Sequence, residues 1–106
     1  MDEPRVEATH YTVSLFPDAS VNAAVWDVTV ERRSAGRWAV CNMGRCLNAD
    51  GKWDREPIPS SRDDEWKEQH RFDLDDALEL AKQVAPTVAW NGMTAVQCVE
   101  WEASRG

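Results

Sequence analysis

No stretch of this chain approaches the roughly eighteen consecutive apolar residues of a membrane-spanning helix. The opening "MDEPRVEATH" has no apolar core of the kind a secretory leader carries. Glycine occurs only singly, at Gly36, Gly44, Gly51, Gly92 and Gly106, so no glycine-rich loop is available to cradle a phosphate. The nucleophile-elbow pattern G-x-S-x-G is missing. Positive charge is in deficit, with a formal net charge of −7, which argues against a protein that simply wraps nucleic acid. The three cysteines, Cys41, Cys46 and Cys98, do not form an even-numbered disulfide framework. These absences together predict a soluble, cytoplasmic protein with reduced thiols and no membrane partner.

What is present is enough for one domain spanning residues 1–106, with 42% hydrophobic residues to build a core. Tryptophan dominates the aromatics: six, against two Phe and one Tyr. A ring of that size buries much area and carries one donor, so most of these side chains are expected in the core. With so many, one exposed tryptophan facing a partner is a fair expectation.

Residues 1–7 read as a frayed start. "THYTVSLF" alternates, with Tyr11, Val13 and Leu15 on one face, and predicts a strand ended by a turn at "PDAS". "AAVWDVTVERR" is the clearest strand, with Trp26, Val28 and Val30 facing inward. "RWAVCNM" begins a third strand that "GRCL" continues past a bulge at Gly44. Asp50-Gly51 is a tight-turn signal, and "KWDREPI" is a short edge strand stopped by Pro57 and Pro59. Residues 56–62 then connect sheet to helix.

Ser60 or Ser61 is expected to cap a short helix carrying Asp63, Asp64 and Glu65 in its first turn, with Trp66 and His70 on one side. "FDLDDALELAKQVAP" is the strongest helix, capped by Asp73 and ended by Pro86. "TVAWNGMTAVQCVEW" is either a hairpin about Asn91-Gly92, or a strand, a turn and a helix capped by Thr94 and Gln97; the second reading is preferred. The predicted class is α+β: a three- to four-stranded antiparallel sheet, one main helix packed on it, a short helix, and a C-terminal strand and helix.

The cysteine pair Cys41 and Cys46 has four residues between its members, which is not a standard zinc spacing. On one strand the two would point to opposite faces unless a bulge intervened, so they read as small buried hydrophobes, with no metal and no cofactor expected. Ser60, Ser61 and His70 make a hydrolase triad only on paper, because no oxyanion hole or nucleophile turn accompanies them. No catalytic residue is assigned. Charge is polarised along the chain. Arg32, Arg33, Arg37, Arg45, Lys52 and Arg55 make the middle basic, whereas the segment from Asp63 to Glu79 is acidic.

"RWAV", "CLNADGKW", "EPIPSSRDDEWKEQHRF" and "NGMTA" give the chain a recognisable texture, running from about Tyr11 to Ala95 and most specific over Glu56–Phe72. In these motifs the chain resembles a group of small proteins of actinobacteria and their phages. The resemblance implies a phage or prophage setting and a helix after "NGMTA". It carries no biochemical function and no catalytic residues.

Three functions are weighed on this basis. The first is a non-enzymatic module that binds a host protein or another copy of itself, with Trp38, Trp53, Arg55, Arg62, Trp66 and His70 as the candidate contact residues. Arg62 and Arg71 are expected to pair with nearby acids. The second is a nucleic-acid binder that uses Arg32, Arg33, Arg37, Arg45, Lys52 and Arg55 with interleaved Trp, which requires those residues to share one exposed face. The third, a small enzyme, requires a cleft that holds His70 or His10 beside a carboxylate.

Overall fold

The computed structural model describes residues 3–17, 23–58, 60 and 62–105. The turn expected after Pro17 lies outside them, as does Ser61. The chain is α+β, as its patterning predicts. Five strands run in sequence order as an antiparallel meander: β1 (His10–Val13), β2 (Val28–Ser34), β3 (Arg37–Asn42), β4 (Arg45–Leu47) and β5 (Trp53–Arg55). A helical turn, α1 (Ala23–Trp26), precedes β2. Helices α2 (Asp64–Gln69) and α3 (Leu74–Val84) follow the sheet. A 3-10 turn (Ala85–Thr87), a two-strand hairpin of β6 (Ala89–Trp90) and β7 (Met93–Thr94), and α4 (Ala95–Arg105) complete the chain. Among the described residues no helix is long and apolar enough to cross a membrane.

The fifth strand arises where a bulge was expected. Met43 and Gly44 both take positive φ, 47° and 81°, the signature of a two-residue hairpin turn. The turn folds β4 back onto β3 and pairs Cys41 directly with Cys46. The two cysteines therefore sit on one face of the sheet, not on opposite faces. The strand expected to start at Ala23 starts at Val28 instead, because Ala23–Trp26 closes a helical turn whose last bond runs from the Asp27 amide to the Ala23 carbonyl (2.7 Å). Asn42 fixes that turn in place. Its buried amide donates to the Val25 and Asp27 carbonyls at 2.9 Å each. The first strand ends at Val13, and Phe16 rather than Leu15 turns inward.

One face of the sheet carries the main core. Val28, Val30, Trp38, Val40 and Leu47 pack against Ala77 and Ala81 of α3 and against Ala85 and Val88 beyond it. Alanines on the helix allow close approach to the bulkier strand residues. Asp73 caps α3 as expected, accepting from the Asp76 amide at 2.8 Å. The C-terminal helix carries the expected reciprocal box: Gln97 Oε1 accepts from the Thr94 amide (2.8 Å), and Thr94 Oγ1 accepts from the Gln97 amide (3.2 Å). Its inner side meets Phe16 through Ala95 and Cys98.

The other face is covered in part by α2, whose Trp66 packs on Ala39, Cys41 and Cys46. The cap of α2 is Asp63, two or three residues later than the serines suggested: its side chain accepts from the Trp66 amide (2.8 Å). After α2 the chain returns to the sheet. Phe72 and Trp38 exchange backbone bonds of 2.7 and 2.9 Å, filling the edge of β3 that the short β4 leaves unpaired.

Candidate anion-binding site

The reverse face of the sheet gathers charge that the sequence distributes over several elements. Residues alternate along β2, so Val28 and Val30 point to the α3 core while Glu31 and Arg33 point to the α2 side. There Arg33 meets Glu56, which leaves the end of β5. Its Nη2 donates to Glu56 Oε1 at 2.8 Å and its Nε to Oε2 at 3.3 Å, a two-point grip matched to carboxylate geometry. Arg71 Nη2 reaches the same Oε2 at 3.3 Å and Arg62 Nη2 at 3.5 Å. The pairing of Arg62 and Arg71 with an acid is thus as expected, and the acid is Glu56.

Each arginine is anchored a second time. Arg62 Nε donates to the Pro57 carbonyl (2.8 Å), Arg71 Nη1 to the His70 carbonyl (2.9 Å), and Arg33 Nη1 to Glu31 (3.1 Å). Burial alone would raise the Glu56 pKa, but the Arg33 hydrogen bond and the charges of Arg33, Arg62 and Arg71 outweigh it and hold the carboxyl below its ordinary range. Burial likewise opposes the charge on Arg33, and its bonds to Glu56 and Glu31 more than compensate, raising its pKa. Fixed positive charge is what this arrangement produces.

Arg33, Ser34, Arg37, Arg62, Lys67 and Arg71 line a cavity of about 230 Å³ beside this cluster. Five of the six carry a positive charge. Among the described residues Arg37 and Lys67 take part in no ion pair, so the charge facing the cavity exceeds what Glu56 neutralises. A neighbouring hollow shares Arg37 and Arg71 but adds Glu68 and Asp73, which bounds the cationic area on that side.

The floor under Arg71 is aromatic. His70 stacks on Trp66, with centroids 3.9 Å apart and planes within 8°, and the Arg71 guanidinium lies 5.2 Å from the Trp66 ring. The shared helical side of Trp66 and His70 was legible from their spacing. The His70 nitrogens contact the Trp66 carbonyl and Asp54 Oδ2, both at 2.7 Å. His70 hydrogen bonding leads the causes that lower the Asp54 pKa.

Several expected contact residues need correction. Trp38 is 6% exposed, because it faces α3 and tilts against Tyr11, and His70 is 2% exposed beneath Trp66. Neither can form a binding rim. Trp53 and Trp66 are half-buried; Arg55 is exposed; Arg62 is the member of that set that lines the cavity. The six basic residues proposed for nucleic acid do not share a face. Arg32 pairs across the strands with Trp38 and holds Glu7 at 3.5 Å, whereas its neighbour Arg33 points to the opposite side. Arg45 is stacked between Trp53 (5.2 Å) and Trp90 (4.5 Å) and donates to Asn42 at 2.6 Å. Lys52 and Arg55 are exposed away from the cavity lining, and only Arg33 and Arg37 reach it.

Lys67 and Arg71 were missed as site residues. Their signal was present in the spacing: four apart, they flank the helix end that carries Trp66 and His70. A second concavity, of about 250 Å³, is apolar and lined by Trp26, Trp90, Asn91, Met93, Cys98 and Trp101. Trp101 is 46% exposed, the exposed tryptophan that the composition led one to expect. Neither cavity includes His70 or His10. Comparison of this chain with protein-family models, with curated proteins and with solved structures finds no match.

Proposed function

We propose that this chain is a non-enzymatic, cytoplasmic protein-interaction module of a phage or prophage that grips an acidic segment of a host protein in its arginine-lined cavity. The observation that carries the reading is the convergence of Arg33, Arg37, Arg62, Lys67 and Arg71 on one hollow of a chain with net charge −7. Arginine forks held in place by a half-buried carboxylate are preorganised, so a ligand carboxylate meets donors that lose little further entropy.

A peptide fits this surface better than a nucleic acid does. A hollow of about 230 Å³ admits one or two side chains, not a run of phosphates. The remaining basic residues lie elsewhere, and Glu68 and Asp73 line the adjoining hollow, so a polyanion gains no continuous track. An acidic side chain entering one cationic hollow meets a local field opposite to that of the whole molecule, which favours specificity.

The test is affinity capture from a host lysate with and without nuclease treatment, with wild-type protein and Arg37→Ala/Lys67→Ala as baits. These two residues are chosen because their removal breaks no ion pair among the described residues. One protein enriched by wild type and reduced about tenfold or more with the double variant is the expected result. Equal capture by both baits, or enrichment that disappears with nuclease, would reject the cavity as the docking site.

A further inference from the structure

The hairpin that folds β4 onto β3 creates a second arrangement on the same face of the sheet. Cys41 and Cys46 are directly opposed, and their sulfurs lie 3.5 Å apart. A carboxylate oxygen of Glu56 completes a group in which all three ligand atoms lie within 4.8 Å of one another. We propose that Cys41, Cys46 and Glu56 form a binding site for a thiophilic divalent cation of the zinc type.

The sulfur separation suits a shared ion. Two thiolates bound to tetrahedral zinc at about 2.3 Å stand about 3.8 Å apart, close to the 3.5 Å present. Two sulfurs and one oxygen suit a borderline-soft cation, and a set of three protein ligands leaves a fourth position for solvent or an exogenous ligand. Both cysteines are buried, at 7% and 0% exposure, so the ion would be held in a setting of low dielectric.

Charge balance supports the assignment. Two thiolates and one carboxylate around a divalent ion leave one net negative charge. Arg33, whose Nη2 is 3.7 Å from Cys41 Sγ, and Arg71, bonded to Glu56, stand ready to neutralise it. Arg33 lines the arginine cavity as well as touching Cys41, so the two sites adjoin. Glu56 accepts three hydrogen bonds from Arg33 and Arg71, which leaves one of a carboxylate's roughly four lone-pair sites for an ion. Binding breaks the S–H bonds, forms two metal–sulfur bonds and releases the thiol protons to solvent, with no change in oxidation state.

The experiment is an anaerobic titration of the reduced full chain with Co2+, followed by Zn2+. The expected result is one equivalent of Co2+ giving a thiolate-to-cobalt charge-transfer band and a tetrahedral visible spectrum, both erased by Zn2+. The band is retained in Cys98→Ser and lost in Cys41→Ser and in Cys46→Ser. Glu56→Gln keeps a thiolate band but binds about tenfold or more weakly. Circular dichroism checks that each variant is folded, and the wild-type spectrum decides the matter even where a variant is not. No charge-transfer band in reduced wild type, or a band that survives in a folded Cys41→Ser/Cys46→Ser protein, would overturn the proposal.

Discussion

The two faces of the five-stranded sheet are built from the same strands to opposite ends. Toward α3 the strands present Val28, Val30, Trp38, Val40 and Leu47, and the helix answers with alanines. Toward α2 they present Glu31, Arg33, Cys41 and Cys46, and what answers is Glu56, Arg62, Trp66, His70 and Arg71. The first face is held by area removed from water, which is non-directional and tolerant of exchange among apolar residues of similar volume. The second is held by directed bonds among charges, each of which loses much of its value if one partner is removed. The difference separates apolar stability from available charge: α3 can maintain the fold while Arg37 and Lys67 on the other side keep charge that no ion pair among the described residues consumes.

The sharpest way to break this comparison is to truncate one residue on each face. Leu47 is fully buried in the α3 core, and Leu47→Ala should cost about 2–5 kcal/mol in urea unfolding, the largest single effect expected. Glu56→Gln on the other face keeps shape but leaves Arg62 and Arg71 without their anion and Arg33 with Glu31 alone. A loss of about 1–2 kcal/mol is expected, less than for a fully enclosed pair because the cluster meets solvent. Equal losses from the two substitutions would mean that the charged face also carries the fold.

Acid distinguishes the faces as well. The folded Glu56 carboxyl has a depressed pKa, so its contribution is complete above the unfolded value of about 4.3 and drains away as pH falls through the folded value. Glu31 behaves in the same sense: burial opposes its charge, but hydrogen bonds from Thr29 and Arg33 prevail. Unfolding followed from pH 7 downward should therefore show stability falling below about pH 4.3, with a shallower fall in Glu56→Gln and an unchanged one in Leu47→Ala. A wild-type profile no steeper than that of Glu56→Gln would remove the carboxylate from the account.

The apolar face was largely legible in the sequence. Alternation placed Val28 and Val30 inward, the period of "ALELA" placed α3, and Asp73 and the Thr94–Gln97 box announced two helix starts. Trp26 misled because its spacing continues the strand pattern of Val28, while a helical turn ahead of β2 takes it out of the sheet. The turn at Met43-Gly44 was hidden because methionine is not a residue that signals positive φ, so a hairpin read as a bulge.

The charged face was legible only in fragments for a related reason. Arg33, Arg62 and Arg71 lie on three separate segments, and Glu56 on a fourth, so their meeting depends on the strand order and on the return of the chain to β3 at Phe72. Periodicity reports which side of an element is buried, and it does not report which elements are neighbours. The pairing of Cys41 with Cys46 has the same origin, since it exists only once the hairpin is known.

The central claim is that the arginine cavity accepts an acidic segment of a protein. Isothermal titration of the wild-type chain and of Arg37→Ala/Lys67→Ala with a short glutamate-rich peptide, its phosphoserine counterpart and a single-stranded oligonucleotide, at low and high salt, tests it most directly. The account predicts one peptide site on wild type, weakened by about tenfold (~1.4 kcal/mol) in the double variant and by added salt, with the oligonucleotide binding less tightly than either peptide. Peptide affinity that is the same in both proteins, or an oligonucleotide that outcompetes the peptides, would contradict it.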